Sequence, residues 1–300
     1  MNIIKLISLI RPKQWIKNLF VFAPILFAGQ LLNFQLLFKS IYAFIAFCIA
    51  SSIVYIINDI IDKDADKVHK KKRFRPLASG EVSVKEALIF AAVLIIPAAL
   101  VLTRLEFTFT AVVLIYFFLN ILYTFRFKHV VILDVFIISI GFLLRVEGGA
   151  AAIGVEFSSW MILTTIFLSL FLAISKRRAE LSGAGNGKAE NQRKVLEHYD
   201  LTFVDQMNTV AVTGTIICYA LYTVSEKAVT TFHTDNLIYT TPFVIYGVFR
   251  YLYLLHRKNL GESPEQIVTK DLSLILNIFL WFIVSFAIIY KPKLIAFFNL

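Results

Sequence analysis

An all-α, polytopic membrane protein is the fold class this sequence predicts, and three observations predict it. Of 300 residues, 58% are hydrophobic and 17% charged, whereas soluble domains average roughly 45–50% and about 25%. The apolar residues fall into runs near the roughly 20 residues that a helix needs to cross a bilayer. Lysines and arginines gather in alternate connections between those runs, the pattern of a positive inner face. With 29 Phe but only 12 Gly and 7 Pro, the chain is neither disordered nor repetitive. Mean hydropathy is +0.75. Cys48 and Cys218 sit inside apolar runs and read as small hydrophobes, not as a bridge or a metal site.

Residues 1–18 are expected to form an amphipathic segment lying in the interface, with Trp15 as anchor and Lys5, Arg11, Lys13 and Lys17 toward lipid phosphates. Pro12 and Lys13 interrupt its apolar run, and no small-residue cleavage pattern follows, so it is not read as a signal peptide. Nine spans follow, at about 19–37, 40–60, 84–102, 106–125, 131–151, 157–175, 208–224, 237–255 and 271–290. With the N-terminus inside, the cytoplasmic segments hold 22 Lys and Arg against five on the other face. The net charge of +10 is therefore a topology signal, and nucleic acid is not an expected partner. The expectation is one domain, residues 1–300, multi-pass in the cell inner membrane. Two long charged connections, 61–83 and 176–207, would form cytoplasmic caps, and long connections in compact proteins are often functional.

The first cap opens on the strongest motif, NDIIDKDAD at residues 58–66. If the second span continues as a helix at about 100° per residue, Asp59, Asp62 and Asp66 fall at about 0°, −60° and −20°. Asn58 lies beside them and Asp64 points away. Carboxylates at a helix C-terminus oppose the macrodipole and repel one another, so something cationic must offset them. A hard divalent ion such as Mg²⁺, bridging a diphosphate, would do so; so would Lys63, Lys67 and Lys70 as surface pairs.

Further along, Asp134 and Arg145 are eleven residues apart, a net rotation of about 20°, so both share one helical face. Ionisable residues inside a span usually face a cavity or a partner. The bland readings are snorkelling for Arg145 and exposure at the inner headgroups for Asp134. Lys176-Arg177-Arg178 either enforces the positive-inside rule or binds a phosphate directly, without metal. The five histidines make no metal-ligand pair at helical spacing.

Asn58, Asp59, Asp62 and Asp66 match the N-D-x-x-D-x-x-x-D motif of the UbiA-type superfamily of intramembrane prenyltransferases, and Arg75-Pro76 through Gly80 resembles its R-P-x-x-x-G. That resemblance implies nine helices around a central cavity and Mg²⁺ held by Asp59, Asp62 and Asp66 with Asn58 assisting. Aromatic prenyltransferases of the superfamily carry a second D-x-x-x-D motif after the sixth span. Residues 173–200 have no acidic pair at that spacing. With R-P-K-Q-W-x-K-N at Arg11–Asn18, Y-x-x-R-x-K at Tyr123–Lys128, L-D-V at Leu133–Val135 and K-R-R-A-E-L at Lys176–Leu181, the chain looks similar to the decaprenyl-phosphate phosphoribosyltransferase branch.

The branch resemblance implies transfer of 5-phosphoribose from phosphoribosyl pyrophosphate to a polyprenyl phosphate, releasing pyrophosphate. Arg73, Arg75, Arg126, Lys128, Lys176, Arg177 and Arg178 are then candidates for the donor phosphates, and Lys13, Lys17 and Asn18 for the acceptor phosphate. Asp134 would contact ribose hydroxyls or orient a cation, and Tyr123 and Arg145 complete the substrate-binding set. Membrane lipids, and a second copy of the chain in a homo-oligomer, are compatible partners. An aromatic prenyltransferase for a quinone or haem precursor is the alternative; a transporter or a structural subunit fits less well, lacking evident repeats or leaving the acidic motif unexplained.

Overall fold

A computed structural model describes residues 3–69, 72–184, 194–258, 267 and 269–298. Among them all regular secondary structure is helical. Helix α1 (Ile3–Leu9) leads into a 3₁₀ segment (Pro12–Phe22) continued by α2 (Ala23–Phe27). There follow α3 (Phe34–Ile61), α4 (Lys63–Val68), α5 (Val84–Leu102), α6 (Phe107–Phe125), α7 (Leu133–Ile153), α8 (Ser159–Ala184), α9 (Leu201–Thr223), α10 (Glu226–Phe232), α11 (Thr241–Lys258) and α12 (Leu272–Phe298). Helix α3 packs against α5, α6 and α7, while α8 packs against α7 and along α9, so α7 joins the two groups.

Six of these helices, α3, α5, α6, α7, α8 and α12, are long and apolar enough to cross a bilayer. A seventh is obtained if α9 and α10, bent by 48° across a short break, make one span. The nine apolar spans expected from the sequence therefore reduce to six or seven among the described residues. The span expected at 19–37 is split: Gly29 takes φ +63°, and Asn33 starts α3 by accepting hydrogen bonds from the Gln35 and Leu36 N–H groups at 3.1 and 3.3 Å. The span expected at 237–255 is a 3₁₀ turn (Asn236–Thr240) plus α11, which Tyr246, Arg250, Tyr251, Tyr253, Arg257 and Lys258 make too polar to pass.

Residues 5–18 of the expected interfacial segment pack in part against the helices, while Ile7, Pro12 and Lys13 stay exposed. Leu6 and Leu9 are buried with Ile53, Ile56, Leu77 and Val82. The Trp15 indole N–H donates to Ser52 Oγ at 3.1 Å, and Asn18 and Val21 are buried. Glycines on α7 permit this. A Cβ on Gly149 would meet the Val21 carbonyl oxygen at 2.1 Å, and one on Gly148 would meet the Phe47 ring at 2.5 Å, so the 3₁₀ segment and α3 both approach α7 more closely than any larger residue allows.

Both expected caps are partly folded. Segment 61–83 contains α4 and a 3₁₀ turn (Lys72–Phe74). Its Arg-Pro-Leu-Ala-Ser-Gly turn reverses at Gly80, with φ +81°, and seats Leu77 and Val82 in the core. Ser83 and Glu86 then form a reciprocal capping box for α5. In segment 176–207, α8 runs through to Ala184 and a 3₁₀ turn covers Lys194–His198, so Lys176, Arg177 and Arg178 stand on a helix; 185–193, like Lys70, lies outside the described residues.

Candidate active site

The acidic motif sits where α3 gives way to α4. The helix does not run straight through, as the spacing argument assumed: Asp62, with φ −85° and ψ 4°, ends α3 and starts α4. The chain keeps its path across the break, since the Asp62 N–H donates to Asn58 O at 2.9 Å and the Asp66 N–H to Asp62 O at 2.8 Å. Asp59 and Asp66 are therefore both buried. Asp64 faces away, with its side chain 90% exposed and paired to Lys67 at 2.7 Å; that hydrogen bond holds its carboxyl below the usual carboxylate range.

Among the described residues, the cations paired with Asp59, Asp62 and Asp66 are Arg75, Arg11 and Lys128, while Lys67 pairs with Asp64. Arg75 Nη1 donates to Asp59 Oδ1 at 3.0 Å and to Asp66 Oδ2 at 2.5 Å. Arg11, its own φ at +49°, pairs with the same Asp59 oxygen and stacks on the Tyr55 ring at 5.1 Å. Lys128, buried in the 3₁₀ turn (Phe127–His129), donates to Asp62 Oδ1 at 2.6 Å, and Asn58 Nδ2 donates to Asp62 Oδ2 at 3.1 Å. Sequence reasoning placed Arg11 toward lipid phosphates and at the head of the R-P-K-Q-W-x-K-N stretch, but missed it as a partner of the acidic motif.

Among the described residues no three Asp, Glu, His or Cys side chains group as metal ligands. Asp59 and Asp66 nevertheless converge on one guanidinium nitrogen, and hard carboxylate oxygens suit Mg²⁺. The donors fit such an ion at Asp59 and Asp66, with Asp62 turned to Lys128.

Asp134 is fully buried, not exposed at headgroups. Its Oδ2 lies 3.3 Å from Arg177 Nε, and its Oδ1 accepts from the Tyr199 hydroxyl at 2.8 Å. Arg177 is 1% exposed and also reaches Glu180 at 2.6 Å. Burial raises the Tyr199 phenol pKa, and the hydrogen bond to Asp134 adds to the rise, so the hydroxyl stays a donor. Arg178, one residue on, turns to Asp205 at 2.5 Å, as about 100° per residue requires. The triplet is thus divided between ion pairs: Arg177 orients Asp134, and Lys176 is half-buried.

Arg145 does not snorkel. It is 5% exposed and donates to Asn18 Oδ1 at 2.7 Å, Gly141 O at 2.7 Å and Tyr116 Oη at 2.8 Å, with the Tyr116 ring 4.7 Å away. Asn18 passes the link on to Ser51 and Cys48, so Arg145 and Asn18 knit the 3₁₀ segment to α3, α6 and α7. Both cysteines are free and buried. Lys17 bonds Gln14 at 2.6 Å and Lys13 is exposed. Arg73 and Arg126 are exposed and Tyr123 is half-buried. Of the predicted set, the structure gathers Asn58, Asp59, Asp62, Asp66, Arg75 and Lys128; it separates Asp134 with Arg177, Arg145 with Asn18, and Arg178.

The family model of the UbiA prenyltransferase family matches residues 19–283. This chain belongs to that family. Membership makes it a membrane-embedded, multi-pass transferase. It is 35% identical over 277 residues to a decaprenyl-phosphate phosphoribosyltransferase of Mycolicibacterium smegmatis, covering 89% of this chain and 86% of that one. Proteins of the same name from Corynebacterium glutamicum and Mycobacterium tuberculosis are 33% and 32% identical, covering 89% and 92% of this chain and 81% and 91% of theirs. A UbiA homolog from Archaeoglobus fulgidus, solved bound to GPP and Mg²⁺, shares the UbiA fold with a TM-score of 0.71 at 19% identity, covering 95% of this chain and 99% of that one.

Proposed function

We propose that this UbiA-family chain transfers the 5-phosphoribosyl group of phosphoribosyl pyrophosphate to a polyprenyl phosphate, releasing pyrophosphate, at the cytoplasmic face of the cell inner membrane. The observation that carries this reading is the end of α8. Where aromatic prenyltransferases have a second acidic pair, this chain has Arg177 locked between Asp134 and Glu180. One carboxylate motif suits one diphosphate, and the relatives named for this activity align over about nine-tenths of the chain.

In the reaction, the bond between the anomeric carbon and the pyrophosphate oxygen breaks, and its electron pair leaves with pyrophosphate. A lipid phosphate oxygen forms the new bond from the opposite face. The nucleophile is already an anion, so no strong general base is needed. Asp59 and Asp66 would hold Mg²⁺, which when bound supplies positive charge to the leaving diphosphate. Arg75, Arg11 and Lys128 neutralise the carboxylates before substrate arrives and stand beside the phosphates afterwards. Exposed Arg73 and Arg126 are the side chains offered to the donor's 5-phosphate, and Lys13 and Lys17 to the acceptor's phosphate. The contribution of the protein is positioning and fixed charge.

The deciding assay offers purified enzyme labelled phosphoribosyl pyrophosphate and a prenyl diphosphate, with polyprenyl phosphate and 4-hydroxybenzoate as competing acceptors. Label should pass to the polyprenyl phosphate with release of pyrophosphate, stop on chelation and resume with Mg²⁺. Prenylated 4-hydroxybenzoate with an unlabelled polyprenyl phosphate would establish the aromatic prenyltransferase instead.

A further inference from the structure

Ile132 stands in a conformation that a β-branched residue rarely adopts, with φ +67° and ψ −45°. The Leu133 N–H donates to Val131 O at 2.8 Å, which makes the corner a γ-turn of the positive-φ kind, rare and strained. Such strain persists only where the surroundings hold it. Here the holder is the Tyr199 hydroxyl. It accepts from the Ile132 N–H at 2.7 Å and donates to Asp134 Oδ1 at 2.8 Å. Tyr199 is well seated for this, since Val195 and Leu196 beside it are buried in the core with Val135 and Phe171, and its ring stacks on Phe203. Four residues before Ile132, the same corner delivers Lys128 to Asp62.

We propose that Tyr199 is a positioning residue: it holds the 127–132 corner in its strained turn and thereby sets Lys128 at the acidic motif. The proposal rests on the reading of that motif as the diphosphate site. Without the hydroxyl, Ile132 returns to negative φ, the corner rotates and Lys128 leaves its place. The residue acts through Lys128 and touches no substrate.

The test measures binding of inorganic pyrophosphate with Mg²⁺ to the full chain in detergent, alongside thermal unfolding. Tyr199→Phe keeps the ring and should weaken binding by about tenfold. Tyr199→Phe combined with Ile132→Gly should regain most of that loss, because glycine holds positive φ without help. A purely structural role would lower the unfolding temperature of both variants and leave affinity alone. Unchanged affinity in Tyr199→Phe, or equal loss in the single and double variants, overturns the proposal. If Tyr199→Phe does not fold, Ile132→Pro serves in its place: Ile132 is 42% exposed, and proline forbids positive φ and removes the N–H, so it too should weaken binding, and wild-type affinity in it would overturn the proposal. A wild-type chain that binds no pyrophosphate overturns the diphosphate site itself. Wild-type binding together with transfer of a prenyl group removes only the phosphoribosyl reading.

Discussion

Asp64 is the internal control of the acidic motif. It shares charge and neighbourhood with Asp59 and Asp66, yet its side chain is 90% exposed and paired with Lys67, whereas the other two are buried around Arg75. Asp59→Asn and Asp66→Asn should each abolish turnover at any Mg²⁺ concentration, and Asp64→Asn should retain it within about twofold of wild type, as surface changes do; initial-rate assays decide. Arg177 gives a second prediction. Because it is buried against Asp134 and Glu180, Arg177→Ala strands a carboxylate and should destabilise the fold by about 3–5 kcal/mol, read as thermal unfolding in detergent. Asp134→Asn in the same chain should recover much of the loss, the sign of a coupled pair. The outward face of Asp64 was legible because helical phase is local and survives the break at Asp62. The partners of the motif were not. Arg11 and Lys128 lie 48 and 66 residues from the aspartates they bind, and no spacing rule reaches that far. For the same reason Arg177 looked available to a phosphate until its buried partner on α7 was known.

At the scale of elements, the boundaries of α5, α6 and α7 were legible because apolar runs and caps punctuate them, whereas α3 starts at Phe34, six residues before the expected span, because its Asn33 cap falls inside an apolar run. The packing of the N-terminal segment was not legible, because it depends on a residue far along the chain: Gly149, where even one added carbon would lie 2.1 Å from the Val21 carbonyl oxygen. That contact is to backbone, which cannot swing aside as a side chain can. Gly149→Ala should therefore push the Pro12–Phe22 segment off α7, breaking the Asn18 to Arg145 hydrogen bond of 2.7 Å and displacing Arg11 from Asp59. The expected cost is about 1–3 kcal/mol or more. Size-exclusion profiles after heating should show it unfolding earlier than wild type, and activity should fall with stability. Gly154, with φ +68° and open space around its Cβ position, is the contrasting site: a substitution there strains the α7 C-terminus without moving the 3₁₀ segment, so the Asn18 and Arg145 contacts should persist.

For the whole molecule, the test is the arrangement of charge that alternation over the nine expected spans implies. Lys and Arg number 22 on one set of connections and five on the other. The structure puts the first set to use: Arg11, Arg75 and Lys128 converge on the acidic motif from three of those connections. The opposite end carries a cleft between Pro24, Phe27, Val155, Met161, Tyr222 and Phe232, mostly apolar side chains. If orientation follows the positive-inside rule, the motif faces the cytoplasm, where a water-soluble, multiply charged donor can reach it without crossing the bilayer. Single cysteines introduced into a chain lacking Cys48 and Cys218 read this directly. Ser79, on the turn that carries Arg75, and Asp235, between α10 and α11, are both exposed, so protein burial does not mask either. A membrane-impermeant thiol reagent should label the Asp235 position in intact cells and the Ser79 position only after permeabilisation. Labelling of Ser79 in intact cells would turn the molecule over, and the charged donor would then have to come from outside.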